Sequence, residues 1–170
     1  MIIQLFGMDA ASRELIGKKI AEKLDAWYLD SRELPMGHTQ PQQARWLRVV
    51  AKAFDRGYHG DIITSGYFAT KEAREQYRIE AGRQVPDFSI FIDTVAEDKM
   101  HTIPGYLERQ IQVVDDHNFN EFQELNDWEF ASSDEYDIRI YDIENIDETV
   151  DRVISIYKEK MKNYTVKYKN

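Results

Sequence analysis

The sequence contains no cysteine, which excludes disulfides, thiolate-bound zinc, iron–sulfur clusters and a thiol nucleophile. Histidine is scarce. His38, His59, His101 and His117 are the four present, and none stands at HxxxH or HExxH spacing, so a histidine-built metal site has no support. No apolar run approaches the roughly 20 residues that span a bilayer. The opening MIIQLFGMDAAS lacks both the basic start and the long apolar stretch of a secretory signal. Positive charge is in deficit: 22 Lys and Arg face 31 Asp and Glu, for a formal net charge of −9. That removes the usual electrostatic drive towards nucleic acids and anionic lipid. The expectation is a soluble, cytoplasmic chain with no membrane partner and with nucleic acid disfavoured.

What is present is alternation. Five segments read as strands: Ile2 to Phe6, Trp27 to Leu29, Asp61 to Ser65, Phe88 to Asp93 and Tyr136 to Tyr141. The first and fourth are nearly continuous apolar runs, the mark of strands covered on both faces. Between them Leu15, Ile16, Ile20 and Leu24 recur at helical spacing, as do Leu47, Val50, Ala51 and Phe54 behind a Thr39–Gln42 capping pattern. A third helix is predicted over 70–81, stopped by Gly82. A last one carries Val150, Val153, Ile154, Tyr157 and Met161, with Asp147 as its N-cap.

Strands alternating with helices predict an α/β fold. The sheet has five strands, mainly parallel, with Ile2 to Phe6 central and helices on both faces. The expected core is Ile3, Leu5, Ile20, Leu24, Leu47, Ile63, Ile90, Ile92, Ile140, Val153 and Ile154. One domain spans 1–162. Residues 95–135 interrupt the alternation with a polar, aromatic, lid-like segment, expected to cover the carboxyl-end cleft and to be less protected than the core. Residues 163–170 read as a tail.

In an open parallel sheet, ligands bind beyond the carboxyl ends of the strands. The first such place is the segment GMDAASRE, comprising Gly7, Met8, Asp9, Ala10, Ala11, Ser12, Arg13 and Glu14. These are the candidate phosphate- or nucleotide-binding residues. A phosphate loop has the pattern G-x-x-x-x-G-K-[ST]. Gly7 matches it, whereas Ser12 replaces the second glycine, Arg13 the lysine and Glu14 the magnesium-binding hydroxyl. The alternative is a tight strand-to-helix turn with Ser12 as the helix cap. Ser65 and Gly66 stand at another strand end, where Gly66 either admits a ligand or ends the strand. The acidic run Asp115, Asp116, Glu121 and Glu124 lacks calcium-loop spacing, and no metal ligand is nominated.

The stretch GMDAASRELIGKKIAEKLDAWYLD, then Ser31 and Arg32, then DIITSGYFATKEAREQYR and FSIFIDT, resembles the small P-loop kinases, most of all the adenylylsulfate kinases. The resemblance covers residues 1–94 and, more loosely, the last strand and helix. It implies a P-loop kinase-like three-layer sandwich with sheet order 2-3-1-4-5. It implies ATP and Mg2+ as cofactors if the chain is an active kinase. It also nominates Asp30, Arg32 and Arg74 near the phosphate acceptor and Arg109 as a lid arginine. Two functions stay open. One is a kinase with a non-standard loop, in which the amides of residues 8–13 hold phosphate, Arg13 replaces lysine and Glu14 holds magnesium. The other, favoured by charge, is a degenerate binding or regulatory module with weak or no phosphotransfer. Its partner would be a nucleotide or another anionic small molecule, and homo-oligomerisation stays open.

Overall fold

The computed structural model describes residues 1–7, 9–31, 60–66, 68, 70–79, 88–94, 129, 131–141 and 143–168. The helix expected around Leu47, residues 95–128, and the candidates Met8, Arg32 and Arg109 lie outside them.

Strand β1 (Ile2–Phe6) leads into helix α1 (Ala10–Leu24), which turns into β2 (Trp27–Asp30). Strand β3 (Ile62–Gly66) is followed by α2 (Lys71–Ile79). Strands β4 (Phe88–Ile92) and β5 (Ile138–Ile140) follow, and α3 (Ile146–Tyr168) is last. The five strands form one sheet in the order β2-β3-β1-β4-β5. Every pairing is parallel, and β1 is central, with Ile3 opposite Ile63 on one side and Phe88 on the other. This is the expected architecture, and β1, β3 and β4 are buried along their whole lengths.

Because side chains alternate along a strand, β1 divides its residues between two cores. Ile3 and Leu5 join Ile63, Ile90 and Ile92 beneath Ile16 and Ile20 of α1 and Val150, Val153 and Tyr157 of α3. On the other face Ile2 and Phe6 pack with Ile62, Phe68, Phe91 and Ala73 of α2. Of the expected core, Leu24 and Ile154 are only partly buried at its margin, because each lies towards the side of its helix. Ile63 has 0% of its surface exposed. Ile63→Val is expected to cost about 0.5–1.5 kcal/mol, read as a lower urea midpoint with an unchanged slope.

Local sequence explains the ends of these elements, with two corrections. α1 stops where Asp25 enters the left-handed region (φ 51°) and its N–H reaches back to the carbonyls of Ala21 and Glu22. The last helix is capped by Asn145, whose side-chain oxygen accepts from the Glu148 N–H at 3.2 Å, rather than by Asp147. Asn145 Nδ2 also donates to Glu148 at 3.0 Å, a reciprocal cap. Asp147 lies within the first turn, where it pairs with Lys19 of α1. The helix continues through residues 163–168, where the sequence suggests a tail. Among the described residues no helix is long and apolar enough to cross a membrane.

Candidate functional site

All five strands point the same way, so the residues that follow them gather at one edge. Gly7 and Asp9 follow β1, Asp30 and Ser31 close β2, Ser65 and Gly66 close β3, and Asp93 and Thr94 follow β4. The chain leaves β1 towards β2 and β3 on one side, while β4 and β5 lie on the other. The crevice between β1 and β4 is therefore the switch point at which open α/β sheets place ligands.

Gly7 sits at its base with φ +148°. A Cβ there would stand 2.1 Å from the carbonyl oxygen of Ile92, so the β1–α1 connection abuts the end of β4. The helix begins at Ala10, three residues after Gly7. Ala10, Ala11, Ser12, Arg13 and Glu14 therefore belong to its first turns, not to an open loop. Asp9 is the N-cap, which corrects the expectation of Ser12 in that role. One carboxylate oxygen of Asp9 accepts the Ser12 N–H at 2.9 Å. The other accepts the hydroxyls of Ser12 at 2.5 Å and Thr94 at 2.6 Å. The Asp9 carbonyl takes the Arg13 N–H at 2.9 Å. Asp9 is fully buried. An aspartate three residues before a serine is itself a capping signal, and it was legible in DAAS.

Arg13 points inward. Its side chain is fully buried, and Nη1 donates to the Ser65 hydroxyl at 2.9 Å. Beside it the Tyr28 hydroxyl donates to Asp30 at 2.9 Å. Burial pushes the Tyr28 phenol well above its usual range, and the neighbouring Asp30 charge adds to this, so the hydroxyl remains a proton donor. The Tyr28 ring lies against α1 where a Cβ on Gly17 would come within 2.4 Å of it, so glycine is what admits this close packing. Asp30 and Ser31 are both buried. Glu14 pairs with Lys18 along the helix at 2.6 Å.

Arg74 is buried on the opposite face. Nε donates to Glu135 at 2.8 Å, Nη1 to the Phe68 carbonyl at 2.8 Å and Nη2 to the Glu129 carbonyl at 3.0 Å. The Glu129 side chain accepts the Lys71 N–H at the start of α2, at 3.0 Å. Burial pushes the Glu135 carboxyl up, but the Arg74 guanidinium and the N–H and hydroxyl of Ser132 outweigh it and hold the carboxyl below its ordinary value. On the far side of the crevice Arg139 binds Asp93 through Nε at 2.8 Å.

Gly7, Asp9, Ser12, Arg13 and Asp30 are thus brought to one edge, whereas Arg74 is held by Glu135 and two carbonyls. Sequence reasoning missed Thr94, Tyr28 and Glu135. Thr94 carried a signal, standing just past a buried strand. Glu135 carried none, because its partner is 61 residues away. Among the described residues no group of three or more carboxylates or imidazoles is placed to hold a metal.

No family model matches the sequence, and no curated protein matches it. Solved structures do. A gluconokinase from Sinorhizobium meliloti 1021 superposes with a TM-score of 0.65 at 14% identity, over 98% of this chain and 96% of that one. A sugar kinase from a Janibacter species does so at 0.59 and 15%, over 92% and 94%. Shikimate kinase from Aquifex aeolicus gives 0.57 and 16%, over 95% and 98%. At such identities the likeness is one of fold, and it extends to sugar and shikimate kinases rather than singling out adenylylsulfate kinases. The chain has the P-loop kinase-like fold, a three-layer α/β sandwich around a parallel sheet of order 2-3-1-4-5.

Proposed function

We propose that the chain is a degenerate P-loop kinase-like protein, resembling the adenylylsulfate kinases in its sequence pattern, that serves as a binding or regulatory module with weak or no phosphotransfer. The observation that carries this is the Asp9 carboxylate, fully buried at the start of α1 on an amide and two hydroxyls. A phosphate bound at a helix N-terminus uses donors of that kind. Here a carboxylate of the chain already takes them.

Magnitudes favour exclusion. A helix N-terminus contributes about 0.3–1 kcal/mol towards an anion, and about 2 in the best geometry. Two like unit charges 4 Å apart repel by about 4 kcal/mol at an effective dielectric of 20. A polyphosphate set against Asp9 loses more than the helix returns. Arg13, bound inside to Ser65, and Glu14, paired with Lys18, do not fit the roles of phosphate lysine and magnesium ligand. ATP and Mg2+ therefore do not fit this arrangement. Restoring a lysine at position 13 and a serine at position 14 leaves Asp9 in place and is expected to gain little.

The test is calorimetry with Mg-ATP alongside an assay of ATP consumption. The natural protein is expected to bind at about 1 mM or more weakly and to consume no ATP above the buffer rate. Micromolar binding with turnover that Arg13→Ala or Glu14→Ala abolishes would make those two residues catalytic replacements and end this reading.

A further inference from the structure

We infer that the Phe68 ring is a plug seated over the carboxyl ends of β2 and β3. It opens locally, without separating α2 from the sheet, and bares Gly66 and the Ser31 hydroxyl. The plug lies on the β2–β3 side of the sheet rather than at the start of α1, so it stands whether or not the chain consumes ATP.

Three observations meet at this place. Phe68 takes φ +44°, a left-handed conformation that is costly for a bulky side chain and persists only where the surroundings enforce it. Arg74 supplies part of that enforcement: Nη1 donates to the Phe68 carbonyl at 2.8 Å, while Nε is fixed on Glu135. Gly66 sets where the ring lies. A Cβ there would stand 3.1 Å from two carbons of the Phe68 ring and 3.3 Å from Ser31 Oγ. Ring and hydroxyl thus converge on one bare stretch of backbone, and what the missing side chain of Gly66 admits is the chain's own phenyl ring. Ser31 is the third. It is 2% exposed, and its Oγ has no hydrogen-bond partner. A buried hydroxyl left unpaired is destabilising, and ring carbons offer it nothing. The closed position therefore combines a strained backbone with an unsatisfied polar group. Both are relieved when Phe68 swings away, because the backbone returns to a common conformation and water reaches Ser31. These gains offset part of the apolar burial that opening gives up. Ala73 of α2, fully buried in the same cluster as Phe68, gains neither on exposure, so opening is confined to the plug.

The chain has no cysteine, so Ser31→Cys and Ala73→Cys each carry a single thiol. Iodoacetamide is the probe, with rates taken relative to the unfolded chain. Ser31→Cys is expected to react about 100-fold faster than Ala73→Cys, at a rate that stays flat in urea below the unfolding transition, the mark of a local opening that exposes little surface. Phe68→Gly removes the ring and takes a positive φ without strain. Added to Ser31→Cys, it is expected to raise the rate about ten-fold or more. Ser31→Cys reacting as slowly as Ala73→Cys, or with the full urea slope of global unfolding, makes Phe68 an ordinary core residue and overturns the plug. A rate unmoved by Phe68→Gly overturns it too, because something other than the ring then covers Ser31. If Ser31→Cys does not fold cooperatively, relaxation dispersion on the aromatic carbons of the natural protein decides. Microsecond-to-millisecond exchange is expected at the Phe68 ring and not at Phe88, which is fully buried in the other core, and a quiet Phe68 ring overturns the plug.

Discussion

Arg74→Met is expected to cost about 3–5 kcal/mol, the usual effect of leaving a buried charge without its partner. The side chains of Arg74 and Glu135 are 3% and 5% exposed, so Glu135 would stay in the interior without the Arg74 guanidinium. The same substitution frees the carbonyls of Phe68 and Glu129, and the methionine supplies no donor for them. Acid should shrink the effect. Glu135 is held below its ordinary pKa in the folded protein, so its contribution is present above the unfolded value of about 4.3. It is lost as pH falls through the lower folded value. The gap between natural and variant proteins should therefore narrow from pH 7 towards pH 3.

Urea unfolding across that range measures this loss. Arg74→Met combined with Glu135→Leu should recover much of it, because an apolar pair in place of a buried ion pair is often neutral or better. A loss under about 1 kcal/mol for the single variant would show that the pair is wetter than its geometry indicates.

Gly7→Ala is expected to be comparably damaging. A side chain at φ +148° carries about 1–3 kcal/mol of backbone strain. The new methyl would also start 2.1 Å from a main-chain oxygen. Relieving that contact means moving β1 from β4, and overpacking of this kind adds about 1–3 kcal/mol. The sum, about 2–6 kcal/mol, should lower the thermal midpoint clearly. It should also break the Thr94–Asp9 register, which is visible as faster exchange of the Ser12 amide. A variant as stable as the natural protein would mean that the connection relaxes freely.

The fold was legible because its signals are local. Ile2 to Phe6 and Phe88 to Ile92 are short, nearly continuous apolar runs of the kind expected of strands buried on both faces. The stripe Val150, Val153, Tyr157 has the period of a helix. The caps were equally local and still misassigned. Asn145 lies three residues before Glu148, the capping-box spacing, whereas Asp9 and Ser12 are equally good N-caps by residue type, and only the helix start at Ala10 separates them. The candidate site was less legible because its bonds are not local. Arg13 finds Ser65 across 52 residues, and Arg74 finds Glu135 across 61. An arginine in a sequence gives no sign of whether its charge faces a cleft or a carbonyl. Burial decides that, and burial depends on elements far along the chain.

The central place of β1 has a consequence during synthesis. Ile3 pairs with Ile63, and then with Phe88, so the first strand made is paired only after some 60 further residues exist. At about 5–20 residues per second the ribosome needs roughly 3–12 s to supply them. Through that interval IIQLF is an uncharged, β-prone segment with both edges open, the kind of sequence that self-associates when exposed. A circular permutant that begins at β3 and carries β1 near its end would move the wait from β1 to β3, whose two neighbours are β1 and β2.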